Sequence, residues 1–292
     1  MSVAVRPSPE TPTGGRGAWH SALHHLGLLR AFTRQGLHVR LAYRSEFWMR
    51  LLNTLVKMAA IATVWRVLYH QSPGVFPIGR REMVTYAILA ALSSEVLTWW
   101  EGPHFYLGMR VRLGTLVGDL LRPISLPYQL FAIRLGESLA VLVTITAPAL
   151  LVARLVFGLA PPAGGYLAGG AAFAASLCMS FVVLHCLNFL AGMVVILTTS
   201  VEGVATAYHG VMTILSGWLI PLWFYPGWLR AVADVLPFRT VFFTPLSIYV
   251  GFIHGNGVAW ALAEQLGWTA ALILAVAGAW RGVRHRLVIQ GG

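Results

Sequence analysis

Only 11% of the 292 residues are charged, and those standing inside apolar runs are the first candidates for chemistry. Arg50, Asn53, Thr54 and Lys57 fall at i, i+3, i+4 and i+7, a polar stripe along one helical face. Glu95 and Glu101 stand in the next apolar run. Ionisable groups within a membrane span are costly and face protein or water. The set therefore offers either mutual neutralisation that fixes helix packing, or an anionic wall that attracts a cationic solute. At 1.5 Å per residue from Phe47, Arg50 lies about 4 Å and Lys57 about 15 Å above the inner edge of the membrane. Counting back from Gly102 puts Glu101 about 2 Å and Glu95 about 10 Å above that edge. These depths pair Arg50 with Glu101 and Lys57 with Glu95.

The other reactive residue types say less. His185, amid FVVLHCLNFL, reads as a hydrogen-bonded packing histidine, because no metal-ligand spacing surrounds it. Cys178 and Cys186 are eight residues apart on one helix, about 12 Å, too far to bridge; they read as buried thiols. Lys57 is the only lysine and follows no glycine, so a G-x-x-x-x-G-K-[ST] phosphate loop is impossible in this chain. Any nucleotide-driven work needs a separate subunit. An intramembrane enzyme acting on lipid, with Glu95, Glu101 or His185 as acid or base, lacks a nucleophile motif and a metal set. An ion-coupled secondary transporter calls for internal repeats with matching broken helices, and the chain shows one broken region and no repeat.

The elements that must position these residues follow from composition. With 57% hydrophobic residues and a mean hydropathy of +0.71, the chain reads as an all-α polytopic membrane protein. A net charge of +11 points away from nucleic acid, because the arginines sit between apolar spans instead of on one polar surface. Residues 1–18, Pro/Gly-rich and polar, read as a disordered cytoplasmic tail. Residues 19–46 alternate leucines with arginines and histidines, too charged to span but suited to an amphipathic helix lying on membrane lipid. Residues 47–292 form the membrane domain, with six spans expected at 47–68, 83–100, 137–157, 166–198, 205–222 and 258–280. Fourteen arginines then fall on one side and four, Arg80, Arg81, Arg230 and Arg239, on the other. By the bias of basic residues toward the inside, both termini are cytoplasmic.

Two connecting stretches stand out. The long inner loop, 103–136, is not hydrophilic: Leu113, Leu116, Val117, Leu120 and Leu121 follow helical spacing around Asp119, and Arg122-Pro123 stops the helix. Such a helix suits docking to a partner protein, or folding back onto the inner ends of the spans. The outer stretch, 216–251, is too proline-rich for one helix and too apolar for an ordinary loop, and reads as a re-entrant outer element. Pro221, Pro226 and Gly227 make its turn, and Trp223, Phe224 and Trp228 anchor it at the interface. Gly165 and Gly169 offer a G-x-x-x-G for close approach of a neighbouring helix, and Glu202 reads as an inner-surface residue.

The segments GTLVGDLLRPISLPYQLFAIRLGESL, SGWLIPLWFYPGWLRAVADVLPF and the closing RLVIQGG resemble permease subunits of type 2 ATP-binding-cassette (ABC) exporters, in particular the bacterial multidrug or viologen branch. The likeness runs from about Leu41 to the C-terminus. It implies a permease, itself no enzyme, in the bacterial cytoplasmic membrane. It implies pairing with a second permease, identical or homologous, and with two copies of a separate ATPase that binds ATP and Mg; this chain itself holds no cofactor or metal. It also implies that the loop between spans 2 and 3 carries a coupling helix for that ATPase, with Arg112, Asp119, Leu121, Arg122 and Pro123 as contact candidates, and that a pair of short re-entrant helices follows span 5.

Overall fold

The computed structural model describes residues 16–42, 44–71, 76–121, 124–198 and 200–290, and among these it contains helices and turns but no strand. In chain order the helices are α1 (Arg16–Ala42), α2 (Arg44–Gln71), α3 (Arg80–Leu97), α4 (Pro103–Arg112), α5 (Leu116–Leu120), α6 (Leu126–Val141), α7 (Ala147–Phe157), α8 (Gly165–Thr198), α9 (Val201–Leu215), α10 (Gly227–Val235), α11 (Phe243–Tyr249) and α12 (Asn256–Gln290). A π turn, Leu142–Thr146, joins α6 to α7, and 3-10 turns at Leu222–Phe224 and Pro237–Thr240 flank α10. The π turn sits just before Pro148, whose missing N–H would otherwise interrupt the ladder.

Among the described residues four helical stretches are long and apolar enough to cross a membrane: Phe47–Gln71, Leu126–Phe157, Gly165–Thr198 and Asn256–Val283. The spans expected at 83–100 and 205–222 land on α3 and α9. The first has 18 residues and carries Arg80, Arg81, Glu82 and Glu95. The second has 15 residues, short of the roughly 20 that a bilayer asks for. Of the expected tail, residues 1–15 lie outside the described residues, while 16–18 already belong to α1.

The core is built around α3. Every residue from Met83 to Glu95 is buried, packed by α2, α8, α11 and the π turn. Large buried side chains of this core include Met58, Tyr86, Ile88, Trp99, Phe189 and Phe242. On another flank the buried Gln265 of α12 donates to the Ser176 and Thr240 carbonyls and to Ser180 Oγ, while Ser176 Oγ donates back to Gln265 Oε1 at 2.7 Å. That polar clasp fastens α12 to α8 without a hydrophobic driving force between them.

The interface-helix segment is the surprise of the packing. α1 lies against α6, and their backbones meet at two glycines. A Cβ on Gly36 would stand 2.1 Å from the Ile133 carbonyl oxygen, and one on Gly136 would stand 1.9 Å from that of Thr33. The G-x-x-x-G of α8 makes no such contact: a Cβ on Gly165 would meet nothing, and one on Gly169 would meet the Ala163 carbonyl of the preceding turn. Cys186 is buried, whereas Cys178, expected buried, is exposed; both are free.

Candidate functional site

The intramembrane charges converge on Glu95, at 7% exposure. Lys57 Nζ lies 3.1 Å from its Oε1, and Arg50 Nε lies 3.1 Å from its Oε2. The pairing of Arg50 with Glu101 that depth suggests is present as a longer contact, with Glu95 and Arg40 as the nearer partners of the two. Arg50 Nη1 reaches Glu101 only at 4.0 Å, and Glu101 is taken chiefly by Arg40 of α1. The reason is a break in the chain. Thr98 ends α3 in the left-handed region at φ 45°, an unusual conformation for a β-branched residue. Glu101 therefore does not continue the α3 register on which the depth count relied. Arg134 of α6 donates to the Thr98 carbonyl at 3.4 Å and to Glu137, which holds this turn from the other side.

The inner loop is compact. Ahead of α6 its longest helix is α4, upstream of the leucine run, and that run folds as Gly114, with φ 66°, followed by the five-residue α5. Glycines seat α4: a Cβ on Gly108 would fall 2.7 Å from Val201, and one on Gly192 of α8 would fall 2.6 Å from Leu107. Of the contact candidates, Leu121 is 81% exposed. Arg112 is exposed and reaches Glu202 at 3.6 Å, so Glu202 does sit at this end of α9. Asp119 is a correction. It is buried, accepting from Tyr106 Oη at 2.8 Å with Arg110 Nε at 3.5 Å, so it clamps α5 to α4 and offers nothing outward. Burial first, and then Asp119, raises the Tyr106 phenol above its usual range. Arg122 and Pro123 lie outside the described residues. Beside Leu121 the exposed apolar residues of this segment are Phe105, Met109 and Leu113.

Sequence reasoning missed an aromatic and histidine cluster behind the Thr98 turn. His209 of α9 packs its ring 5.1 Å from His104, 4.6 Å from Trp100 and 5.7 Å from Trp99. Burial, then His209 and Arg134, lower His104 to about 3, with Asn188 pulling weakly the other way. In front of this cluster, between α1, α4, α6 and α9, opens a cavity of about 750 Å3. Trp100, Phe105, Tyr106, Gln129, Arg134 and His209 are among its walls. The only signal for it in the sequence is the unusual density of aromatic and histidine residues in 99–106, and their partner lies a hundred residues away. His185 lies elsewhere, buried with Nε2 at 3.3 Å from the Pro127 carbonyl, a packing contact between α8 and the start of α6.

The outer stretch consists of short helices and turns, as its prolines require. Phe243 N–H donates to the Ser216 carbonyl at 2.9 Å, and buried Tyr86 of α3 donates to the Gly217 carbonyl at 2.7 Å. Two of the three expected anchors turn inward. Trp223 packs at 5.2 Å on Tyr86 and 4.6 Å on Phe252, and Phe224 stacks at 5.5 Å on Trp65. Pro221 and the 3-10 turn after it aim these rings against the core, where both are partly buried. Trp228 alone is open, at 70% exposure. It shares one face of α10 with the exposed Val232 and Val235. Pro226 precedes α10 and Gly227 begins it.

Long apolar helices packed around the buried Glu95 carboxylate fit a multi-pass membrane protein. The charged residues described above brace helices against one another. A family model described as ABC-2 family transporter protein matches residues 55–291. The match takes in most of the chain, which therefore belongs to that family, as the sequence resemblance implied. No curated protein and no solved structure matches it. Members of the family are membrane components of ABC transporters and work with an ABC ATPase.

Proposed function

We propose that this chain is the permease subunit of an ATP-driven exporter of the bacterial cytoplasmic membrane. In this reading it spans the membrane six times with both termini inside, and forms the translocation path with a second permease, identical or homologous. Two copies of a separate ATPase, which bind ATP and Mg, dock on the 103–136 segment, and the outer stretch around Trp228 caps the path.

The observation that carries the reading is the mounting of the inner segment. Met109 on α4 and Leu113 at its end stand exposed on either side of Arg112, with Leu121 exposed just past α5, and close contacts at Gly108 and at Gly192 of α8 seat α4 against α8 and the start of α9. A partner pressing on these side chains moves long helices instead of a slack loop. Exposed leucines next to a cation suit a partner groove that is apolar with an acidic rim. The test is ATP hydrolysis by the purified chain, alone and with its cognate ATPase. The chain alone hydrolyses nothing, and the complex does. Leu113→Asp with Leu121→Asp, both exposed and therefore harmless to the fold, lowers the stimulated rate at least about tenfold, as expected when an interface anchor worth 2 kcal/mol or so is lost. Robust hydrolysis by this chain alone, or unchanged stimulation in the double variant, overturns the reading.

A further inference from the structure

Three arginines at the far end of α2 have no part in the transport reading. Arg66, Arg80 and Arg81, with His70, line a pocket of about 540 Å3 where the last turns of α2 meet the start of α3 and the end of α7. Val67, Val84 and Phe157 supply its apolar walls. With both termini inside, this end of α2 faces outward, where basic residues are scarce. The arginines gather there against that bias.

Their charge is also unanswered. The other two arginines expected on the outer side are neutralised: Arg230 lies 3.8 Å from Asp234, and Arg239 lies 2.8 Å from Asp234 and pairs with Glu264. Among the described residues Arg66, Arg80 and Arg81 pair with no carboxylate. Two of them are fixed by neutral groups instead. Arg81 donates from Nε to the Gly158 carbonyl at 2.8 Å and from Nη2 to the Leu159 carbonyl at 3.1 Å, and the Arg66 guanidinium lies 5.2 Å over the Phe157 ring. Such contacts hold a cation in place without cancelling its charge. The carboxylate nearest in sequence, Glu82, turns its Oε2 back toward Gly79 and is not on the pocket wall.

Depth says which anion is within reach. From Arg66 to Gln71, the end of the spanning helix, is about 8 Å along the axis. The headgroup region adds about 5–8 Å to each side of the hydrocarbon core, so the pocket stands at the level of the lipid phosphates. Guanidinium groups match phosphate oxygens in geometry as well as charge. The two helices that flank the pocket also expose Val64 and Val67 of α2 and Leu155 and Val156 of α7, an apolar surface for acyl chains.

We propose that this pocket binds the phosphodiester of an anionic phospholipid, such as phosphatidylglycerol, in the outer leaflet. Arg66 and Arg80 contact the phosphate oxygens, Arg81 braces the pocket against the end of α7, and the acyl chains run along the exposed residues of α2 and α7. The choice of leaflet rests on the six-span reading; the site itself needs only that α2 crosses the membrane, and its test uses the permease without an ATPase.

The experiment follows modification of individual arginines by phenylglyoxal, read by peptide mass spectrometry, in the full chain held in phosphatidylcholine nanodiscs with rising fractions of phosphatidylglycerol. A bound phosphodiester shields the guanidinium groups that contact it. Phosphatidylglycerol slows modification of Arg66 and Arg80 at least about fivefold, while Arg230, about half exposed on the same face, reacts as before. Millimolar glycerol phosphate added to pure phosphatidylcholine discs protects neither. Arg80→Gln, a change at an exposed position, raises the phosphatidylglycerol fraction that half-protects Arg66 by about fivefold, the share of one arginine near anionic lipid. Equal slowing at Arg230, which means attraction to the whole face, overturns the proposal. So does protection by glycerol phosphate alone, which means a site for soluble anions, or protection of Arg66 that Arg80→Gln leaves unchanged. The comparison of Arg80 with Arg230 is made within the wild type, so it decides even if the variant proves unstable.

Discussion

Replacing Gly136 by alanine tests how α1 is held. The new Cβ would stand 1.9 Å from the Thr33 carbonyl oxygen and 2.8 Å from its carbon. A carbon approaches a carbonyl oxygen comfortably only at about 3.3 Å or more, so the two backbones must separate by about 1.4 Å. Gly36→Ala meets the Ile133 oxygen at 2.1 Å and demands nearly the same separation. The obstructing atoms are backbone in both cases, so no rotamer change relieves them. Overpacking of this kind costs about 1–3 kcal/mol, a Tm lower by several degrees. Because one displacement relieves both clashes, the double variant should lose little more than either single one, a departure from additivity expected only of sites in contact. Gly27→Ala in the same helix is the control: a Cβ there meets nothing, so helix propensity alone acts and Tm stays level or rises. Tm of detergent-purified protein, followed by a thiol-independent probe, reads all four variants. Strictly additive losses, or a Gly136→Ala protein as stable as the Gly27→Ala control, would refute the close crossing.

Two further outcomes follow from the same geometry. Glu95→Gln leaves Arg50 and Lys57 without the carboxylate they share. Breaking a buried pair from one side costs about 3–5 kcal/mol, here reduced because Lys57 is about half exposed. The variant should lose yield and Tm, and Lys57→Met in the same background should restore part of both; a Glu95→Gln protein of normal Tm that has lost only cationic cargo would mean that the carboxylate lines a path. His104 is held neutral in the folded chain, titrating at about 3 against 6.5 when unfolded. As pH falls below 6.5 the unfolded state takes up a proton that the folded state refuses, so stability is full above 6.5 and drops by about 1.4 kcal/mol per pH unit toward 3. Between pH 7.5 and 5.5 the wild type should therefore lose more Tm than His104→Gln, and equal losses would count against a buried neutral ring.

What could be read from residues alone was whatever leaves a local or compositional trace. Apolar runs and prolines announced the helices and the broken outer stretch, and depth counting brought Lys57 to Glu95, whose nitrogen and oxygen stand 3.1 Å apart. The count brought Arg50 to Glu101 at 4.0 Å but missed Arg40 and Glu95 as the nearer partners, because nothing about Thr98 announces a left-handed turn in the middle of an apolar run. The leucine spacing around Asp119 said helix but not which way the carboxylate faces; its partners Tyr106 and Arg110 sit one turn apart on a different helix. Tryptophan at a membrane edge and tryptophan in a core look alike in composition, so Trp223 and Trp228 could not be told apart. The crossing of Gly36 with Gly136 joins residues a hundred positions apart and carries no periodicity at all.

The burial of α3 also bears on how the chain enters its membrane. On the six-span reading, α3 partitions poorly by itself, since it carries the Glu95 carboxylate near one end of its apolar run and such a group costs up to about 2.5–3.5 kcal/mol on insertion scales. The cations that neutralise Glu95 belong to α2, which leaves the ribosome first. In turn α2 carries Arg50 and Lys57, the two cations that reach Glu95. Each helix supplies what the other lacks, so the pair is a natural unit of insertion. The separation of 38 positions from Lys57 to Glu95 sets how much chain must emerge before that unit is electrically complete.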